Sequence, residues 1–456
     1  MKNRIIIHAA ALLLSVTLMM PFCTVNAEGI GADTLMTGRA DLPLSVTVSG
    51  PEYAQIARFG TDRTDSLNKI LKHLGLSVTL DGNLSETVVT VDDEPAFSIF
   101  ELPADSGSKT VYSFDPDTVY LSGASRDETI FALFLENEFF FLNTLLDDLY
   151  PVFEKTADTF SAVAKSTEVS LNFRGYGKGV RQTTIALSAQ YVSEHFPAVI
   201  ADLAETEESR AFINRLLFSG PQKILLLYDE NDRLLRIRYD GEAGFAAESM
   251  RNVSVLWRCL RTETEKKDNL TLKTPAKKGG DRYNLTYERE ILLPEDAAHT
   301  IAWDLQIDRK DGQVRKKDAF TAELSSGSGL LNGKIVYSDR QEGTEEKLTI
   351  VPSLTKENDS EYKGTIEITN NSGKIVTSCF TARVAIRPGN VLSVPPYVNE
   401  YTAGTQDPDA DPAENPVREW INSILVRKML ALPPEDLVFF SMDIPADTWN
   451  SLVQSY

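Results

Sequence analysis

Histidine, cysteine and recognisable catalytic motifs are what this chain has least of. Its 456 residues hold 4 histidines and 3 cysteines. After the first 27 residues the histidines are His73, His195 and His299, each solitary, so no HExxH or comparable metal-ligand spacing exists. Gly175-Tyr176-Gly177-Lys178-Gly179 has the glycines but neither the phosphate-loop nor the dinucleotide order. It reads as a turn that needs a permissive backbone. Gly327-Ser328-Gly329 lacks the outer spacing of a nucleophile elbow. Asp407, Asp409 and Asp411 alternate like a calcium loop, but Pro412 stands where glycine is needed and Arg418 where the bidentate glutamate belongs. No metal or cofactor is implied. The chain leans away from an enzyme, and the hydrolase alternative would need a dispersed site around His195 or His299.

Positive charge is also short. Lys and Arg number 46 against 66 Asp and Glu, a net charge of −20, which repels nucleic acid and anionic membranes at long range. Long apolar runs are nearly absent. Ile5 to Met20 is one, too short for the roughly 20 residues of a membrane helix and closed by Pro21. With Lys2 and Arg4 before it and Val25-Asn26-Ala27 after it, the segment reads as a secretory signal cleaved after Ala27. Lipidation at Cys23 is the alternative, although Met20-Pro21-Phe22 lacks the small residues such processing wants. Cleavage removes two cations and no acid, so −20 becomes −22. That predicts a secreted or envelope protein with no transmembrane helix after signal cleavage.

What is present is mostly strand pattern. The predicted fold class is α+β, in six segments: the signal at 1–27, a small α+β unit at 28–124, a helical segment with one strand at 125–220, an antiparallel β-rich domain at 221–392, an acidic proline-rich linker at 393–416, and a C-terminal helix and tail at 417–456. In the first unit, Leu67, Ile70, Leu71 and Leu74 have helical spacing, and Asp92-Asp93-Glu94 is a hairpin turn. Ser125 and Glu128 form a capping box before a very apolar helix ended or kinked by Pro151, with a further helix at Val152–Val163. Helices at Ala189–Leu203 and Glu207–Phe218 follow. From Pro221 to Arg387 the chain reads as an antiparallel meander, for which a half-open barrel is one arrangement.

Two surfaces stand out as candidates. Phe131, Phe134, Leu135, Phe139, Phe140 and Leu142 make an apolar wall, read first as a helix between sheet and neighbour and second as a groove for lipid or a partner. Lys277, Lys278, Arg282, Lys316 and Lys317 belong to two basic hairpin ends. They are either edge lysines that discourage aggregation or, if the loops share one end of the sheet, contacts for anionic wall polymer or phospholipid headgroups. Cys259 and Cys379 could pair outside the cell, but parity places Cys259 on an apolar face with Val253, Val255 and Trp257, and Cys379 on a polar one.

A helical segment leading into a large meander with polar hairpins such as Tyr228 to Arg236 resembles the LolA/LppX-type exported carriers over about 167–387. Those are half-open β-barrels whose helices plug an apolar cavity. The resemblance is architectural and transfers no functional residue. It implies a cavity for a lipid or lipidated protein. Export, the many-stranded sheet, the apolar Phe131–Leu149 helix and the missing catalytic signatures point to an exported binding protein that holds a lipid, lipoprotein or cell-wall polymer in a sheet-and-helix cavity. The alternative is a structural or interaction module of a surface assembly, with an envelope protein as partner. In general style the chain also resembles secreted proteins of clostridia-like bacteria.

Overall fold

The computed structural model of the chain describes residues 43–57, 59–81, 84–103, 108–113, 118–122, 139–244, 250–274, 282–294, 298–311, 314–327, 329–341, 344–358, 361–393, 399–402, 424–425 and 427–437. The signal segment, the capping box at Ser125 and the Asp407–Asp411 run lie outside the described residues. The chain divides into two units, one of Met1–Arg126, Gly329–Asn332 and Leu348–Tyr456, the other of Asp127–Ser328 and Gly333–Lys347.

Unit one begins with β1 (Leu44–Ile56), α1 (Thr61–Leu71), β2 (Leu74–Asp81), β3 (Leu84–Val91), β4 (Glu94–Pro103), β5 (Ser108–Ser113) and β6 (Thr118–Ser122). Unit two follows with α2 (Phe139–Thr159), β7 (Ala164–Phe173), β8 (Gly177–Leu187), α3 (Ala189–Glu194), α4 (Phe196–Asp202) and α5 (Glu207–Arg215). It continues through β9 (Leu217–Tyr228), β10 (Leu234–Gly244), β11 (Arg251–Arg261), β12 (Glu265–Thr274), β13 (Arg282–Leu292), β14 (His299–Asp311) and β15 (Val314–Gly327). Residues of β16 (Leu330–Gln341) and β17 (Thr344–Asn358) are shared between the units, and β18 (Glu361–Ser372), β19 (Ile375–Pro388) and β20 (Asn399–Thr402) return to unit one.

Antiparallel sheet dominates, with few helices. In unit one the strands pair in the order β18, β19, β1, β2, β3, β4, β5, β6, β20, all antiparallel except β6 with β20. The β3–β4 turn is tight because Asp92 and Asp93 have φ of 51° and 63°. Two consecutive left-handed residues match the twist of the strands they join. Leu432 and Leu437 are buried in a cluster with Val91, Ala96 and Phe97, which seats the C-terminal segment on this sheet. Just beyond α1, His73 bonds Asp92 and, at 2.9 Å, Asp436, and Lys72 reaches Asp436 at 2.9 Å.

Unit two is a meander, with β7 through β15 each pairing antiparallel to the next. Among the described residues β7 pairs with β8 alone, so the run is not closed into a barrel. One transverse row fixes its core: Thr183, Leu226, Ile237, Trp257, Leu270, Tyr287, Leu305 and Phe320 are successive partners, and all are buried. Alternation then sends the neighbouring positions of every strand to the opposite face.

Three helix boundaries differ from the sequence reading. The helix expected at Glu207–Phe218 ends at Arg215, because Leu217 and Phe218 pair with Gly244 and Ala243 as the start of β9. Pro151 neither ends α2 nor starts a new helix, because one helix runs from Phe139 to Thr159. Proline removes one backbone hydrogen bond. Tertiary packing on both sides outweighs that loss: Tyr150 and Phe153 both meet Trp257 edge-on, and Leu146, Tyr150 and Val152 are buried. In contrast, the single helix expected at Ala189–Leu203 is two, broken at His195 with φ −134° and ψ −33°. Pro197 explains the break, since it cannot donate to the preceding turn and its ring clashes with the carbonyl four residues back, whereas near the start of a helix it is tolerated.

Candidate binding surface

The strand register brings the two basic hairpin ends together. Arg282 of β13 pairs with Lys310 of β14, which pairs with Arg315 of β15. Two residues inward on the same face, Lys273, Asn284, Asp308 and Lys317 form a second row. Among the described residues, five cations (Lys273, Arg282, Lys310, Arg315, Lys317) therefore surround one carboxylate, Asp308, a charge of +4 for these six side chains. Arg315 takes that carboxylate with two bonds of 2.9 and 2.5 Å. The Arg315 bond, despite some desolvation and with help from Lys317 and Arg282, holds Asp308 below the usual carboxylate range. Lys273, Arg282, Lys310 and Lys317 have no carboxylate partner among the described residues, and all four are exposed. On the opposite face Lys316 is neutralised by Asp339 at 3.2 Å and Asp318 at 3.5 Å.

Of the anticipated basic contacts, Arg282 and Lys317 thus share this strip, and Lys316 points to the other side of the sheet. Lys277 and Lys278 fall in the connection between Thr274 and Arg282, outside the described residues. Of the apolar wall, Phe131, Phe134 and Leu135 are also outside them, and Phe139, Phe140 and Leu142 occupy the first turn of α2.

What the helix brings to the sheet is a charge network that the sequence pattern did not single out. Asp268 is fully buried, and its Oδ1 accepts from Trp257 Nε1 at 2.9 Å and Arg261 Nη2 at 2.7 Å. Its Oδ2 accepts from Arg289 Nε at 2.7 Å and Nη2 at 2.6 Å. Arg289 Nη2 also reaches Asp147 of α2 at 2.6 Å, and the Arg261 guanidinium lies 5.2 Å from the centre of the Tyr150 ring. Burial lowers the Arg289 pKa, but Asp268 and Asp147 outweigh it and raise the value. Desolvation of Asp147 is likewise overcome by Arg289, Lys266 and Arg261, which lower its pKa. Such a cluster, with each buried carboxylate paired to guanidiniums, is how buried charges are tolerated. Beside it lies an open depression lined by Arg233, Arg261, Thr262, Glu263 and Thr264. All five lining residues are charged or hydroxyl-bearing, and none is a histidine. His195 lies elsewhere, exposed beside Glu194 at 3.6 Å. Among the described residues both cysteines are free thiols, Cys259 buried and Cys379 partly exposed.

No protein-family model matches the chain, and no curated protein matches it. Similar solved structures are outer-membrane proteins. One is the outer-membrane expressed OmpT of Vibrio cholerae, 8% identical, TM-score 0.25, covering 76% of this chain and 95% of that one. Another is OpdO of Pseudomonas aeruginosa, 7% identical, TM-score 0.26, covering 76% and 94%. A third is the anion-selective porin from Comamonas acidovorans, 9% identical, TM-score 0.24, covering 76% and 98%. Scores this low carry no argument about activity. The LolA/LppX resemblance is nevertheless corrected: the solved structures the chain is similar to include OmpT and a porin rather than those carriers. Among the described residues no helix is long and apolar enough to cross a membrane.

Proposed function

We propose that this is an extracytoplasmic, non-enzymatic binding protein that holds a phosphate-bearing cell-wall polymer on the basic strip of unit two. The observation that carries this reading is the register that sets Lys273, Arg282, Lys310, Arg315 and Lys317 around a single Asp308 in a chain of net charge −20. A local field of opposite sign to the rest of the molecule selects anionic partners at short range, and the acidic remainder discourages non-specific attachment. Export is supported by the Lys2–Ala27 segment. The strip is flat and edge-like, which suits a repeating polymer better than a small molecule.

Co-sedimentation with isolated wall material, before and after its phosphate polymers are stripped, tests the reading. The chain should pellet with intact wall and stay in solution with stripped wall. Lys310→Glu with Lys317→Glu should abolish pelleting, and binding should fall as salt approaches the range where the screening length drops below about 8 Å. Equal pelleting of stripped wall, or no loss in the double variant, refutes the proposal. Binding to phosphatidylglycerol vesicles in place of wall would refute the polymer assignment as well.

A further inference from the structure

A second positive feature lies on the same face of the sheet, and it differs in kind from the exposed strip. Arg236 of β10 and Arg258 of β11 are direct cross-strand partners. Like charges in that position repel, so the pairing needs a reason. Three arginines nearby are matched to a carboxylate: Arg181 to Asp232 at 2.8 Å, Arg233 to Asp229 at 2.8 Å and Arg238 to Asp240 at 2.8 Å. Arg236 and Arg258 have no such partner among the described residues. The Nε of each is buried with no hydrogen-bond acceptor. Arg236 has Gln182 Oε1 at 3.4 Å, a long contact. Desolvation, then Arg258 and Arg238, lower its pKa, which is the signature of a cation held without compensation.

The surroundings are built rather than accidental. The β7–β8 turn folds back over this face on Gly175 and Gly177, with φ of 82° and 106°, values that L side chains rarely adopt. Gly179 has no Cβ where one would stand 2.5 Å from Leu227 Cδ2, so β8 presses closely on β9. The turn delivers Phe173, whose ring centre lies 5.0 Å from the Arg236 guanidinium. Stacking on a ring face fixes the guanidinium plane and leaves its edge donors available. Tyr176 of the same turn is pushed up to about 12 by burial, with Asp268 and Glu288 adding to the shift and Arg258 opposing it. Asn269, the next partner in the row, is already committed to Glu288 at 2.5 Å.

We infer that the opposed Arg236 and Arg258 guanidiniums form a binding site for a phosphate or sulfate group, roofed by the turn that carries Phe173 and Tyr176. A dianionic oxyanion supplies the acceptors that two forked donors lack and removes their mutual repulsion. The inference does not rest on the basic strip, which uses other residues on β12 to β15.

The test compares sodium phosphate, sodium sulfate and glycerol 3-phosphate with sodium chloride at equal ionic strength. Calorimetric titration of the full chain should give saturable phosphate binding. Arg236→Gln or Arg258→Gln should weaken it at least tenfold, and Arg238→Gln, the ion-paired neighbour on the same face, should leave it within twofold. A preference for glycerol 3-phosphate over inorganic phosphate assigns the site to a phosphomonoester, and the reverse to the free ion. Phenylglyoxal labelling of the wild-type chain is a second readout that needs no variant. Phosphate should protect Arg236 and Arg258 from labelling and leave Arg238 unprotected. No saturable binding by the wild type, undiminished binding in both glutamine variants, or protection confined to Arg282 and Arg315 would each overturn the assignment.

Discussion

Replacing Asp268 by asparagine removes one negative charge from the middle of the network beneath α2 and keeps the shape of the side chain. In the native protein the carboxylate accepts from Trp257, Arg261 and Arg289 at 2.9, 2.7 and 2.6–2.7 Å. Arg289 is 1% exposed and Asp268 is 0% exposed, so neither can be rescued by water. The variant leaves two guanidiniums sharing Asp147 and turns an amide NH2 toward donors. If the bonds were independent and neutral, losing two of them would cost about 1–3 kcal/mol. Breaking a buried ion pair by removing one partner costs more, about 3–5 kcal/mol, because an uncompensated charge stays behind. We therefore expect Asp268→Asn to destabilise unit two by about 3–5 kcal/mol, read as a lower denaturant midpoint in Trp257 and Trp303 fluorescence. A combined Asp268→Leu, Arg261→Met, Arg289→Met variant, which removes all three charges, should recover most of that loss. A cost below about 1 kcal/mol for Asp268→Asn would show that the network behaves like a solvated surface cluster, and the reasoning would fail.

Three further outcomes follow from named contacts. Partial desolvation lowers the His73 pKa, but bonds to Asp436 and Asp92 outweigh it and raise the value. The bonds of Asp436 to His73 and Lys72 lower its own. Stabilisation from His73 is therefore complete below its unfolded pKa of about 6.5 and fades as pH rises through its higher folded value, whereas that from Asp436 is complete above about 3.9 and fades on acidification. Hydrogen exchange in residues 427–437, corrected for intrinsic rates, should speed up from pH 6 to pH 8, and His73→Gln should abolish that dependence. Gly179→Ala would place a methyl 2.5 Å from Leu227 Cδ2; overpacking of this kind costs about 1–3 kcal/mol, and a thermal midpoint unchanged from wild type would contradict it. Cys259 is 0% exposed and its thiol pKa is raised by burial, so a thiol reagent should label Cys379 in the native chain and Cys259 only after unfolding, with early labelling of Cys259 as the contrary result.

Local physics made much of the architecture legible. Alternation in Leu234 to Tyr239 gave a strand, and Asp229-Glu230-Asn231-Asp232 gave its hairpin, in which the Asp229 carboxylate accepts from the backbone of Asn231 and Arg233 at 2.8 and 2.9 Å. Parity correctly separated Cys259 from Cys379. Helix limits were less legible, because Pro151 and Pro197 carry the same local signal and packing reverses its effect at one of them. The carrier resemblance failed for a related reason: a meander with polar hairpins is shared by many β architectures, so that local pattern does not single out one of them.

By itself, then, the sequence determined the strands, the tight turns, the net negative charge and the scarcity of histidine and cysteine, since each depends on composition or on residues a few positions apart. Only the tertiary structure decided that β1 pairs with β19, that Asp147 meets Arg289, that the Lys273–Lys317 strip converges, and that Arg236 faces Arg258. Those are matters of register between strands distant along the chain. A shift of one residue would turn each of these side chains to the opposite face, so chemistry written in pairs across a sheet stays unreadable until the pairing is known.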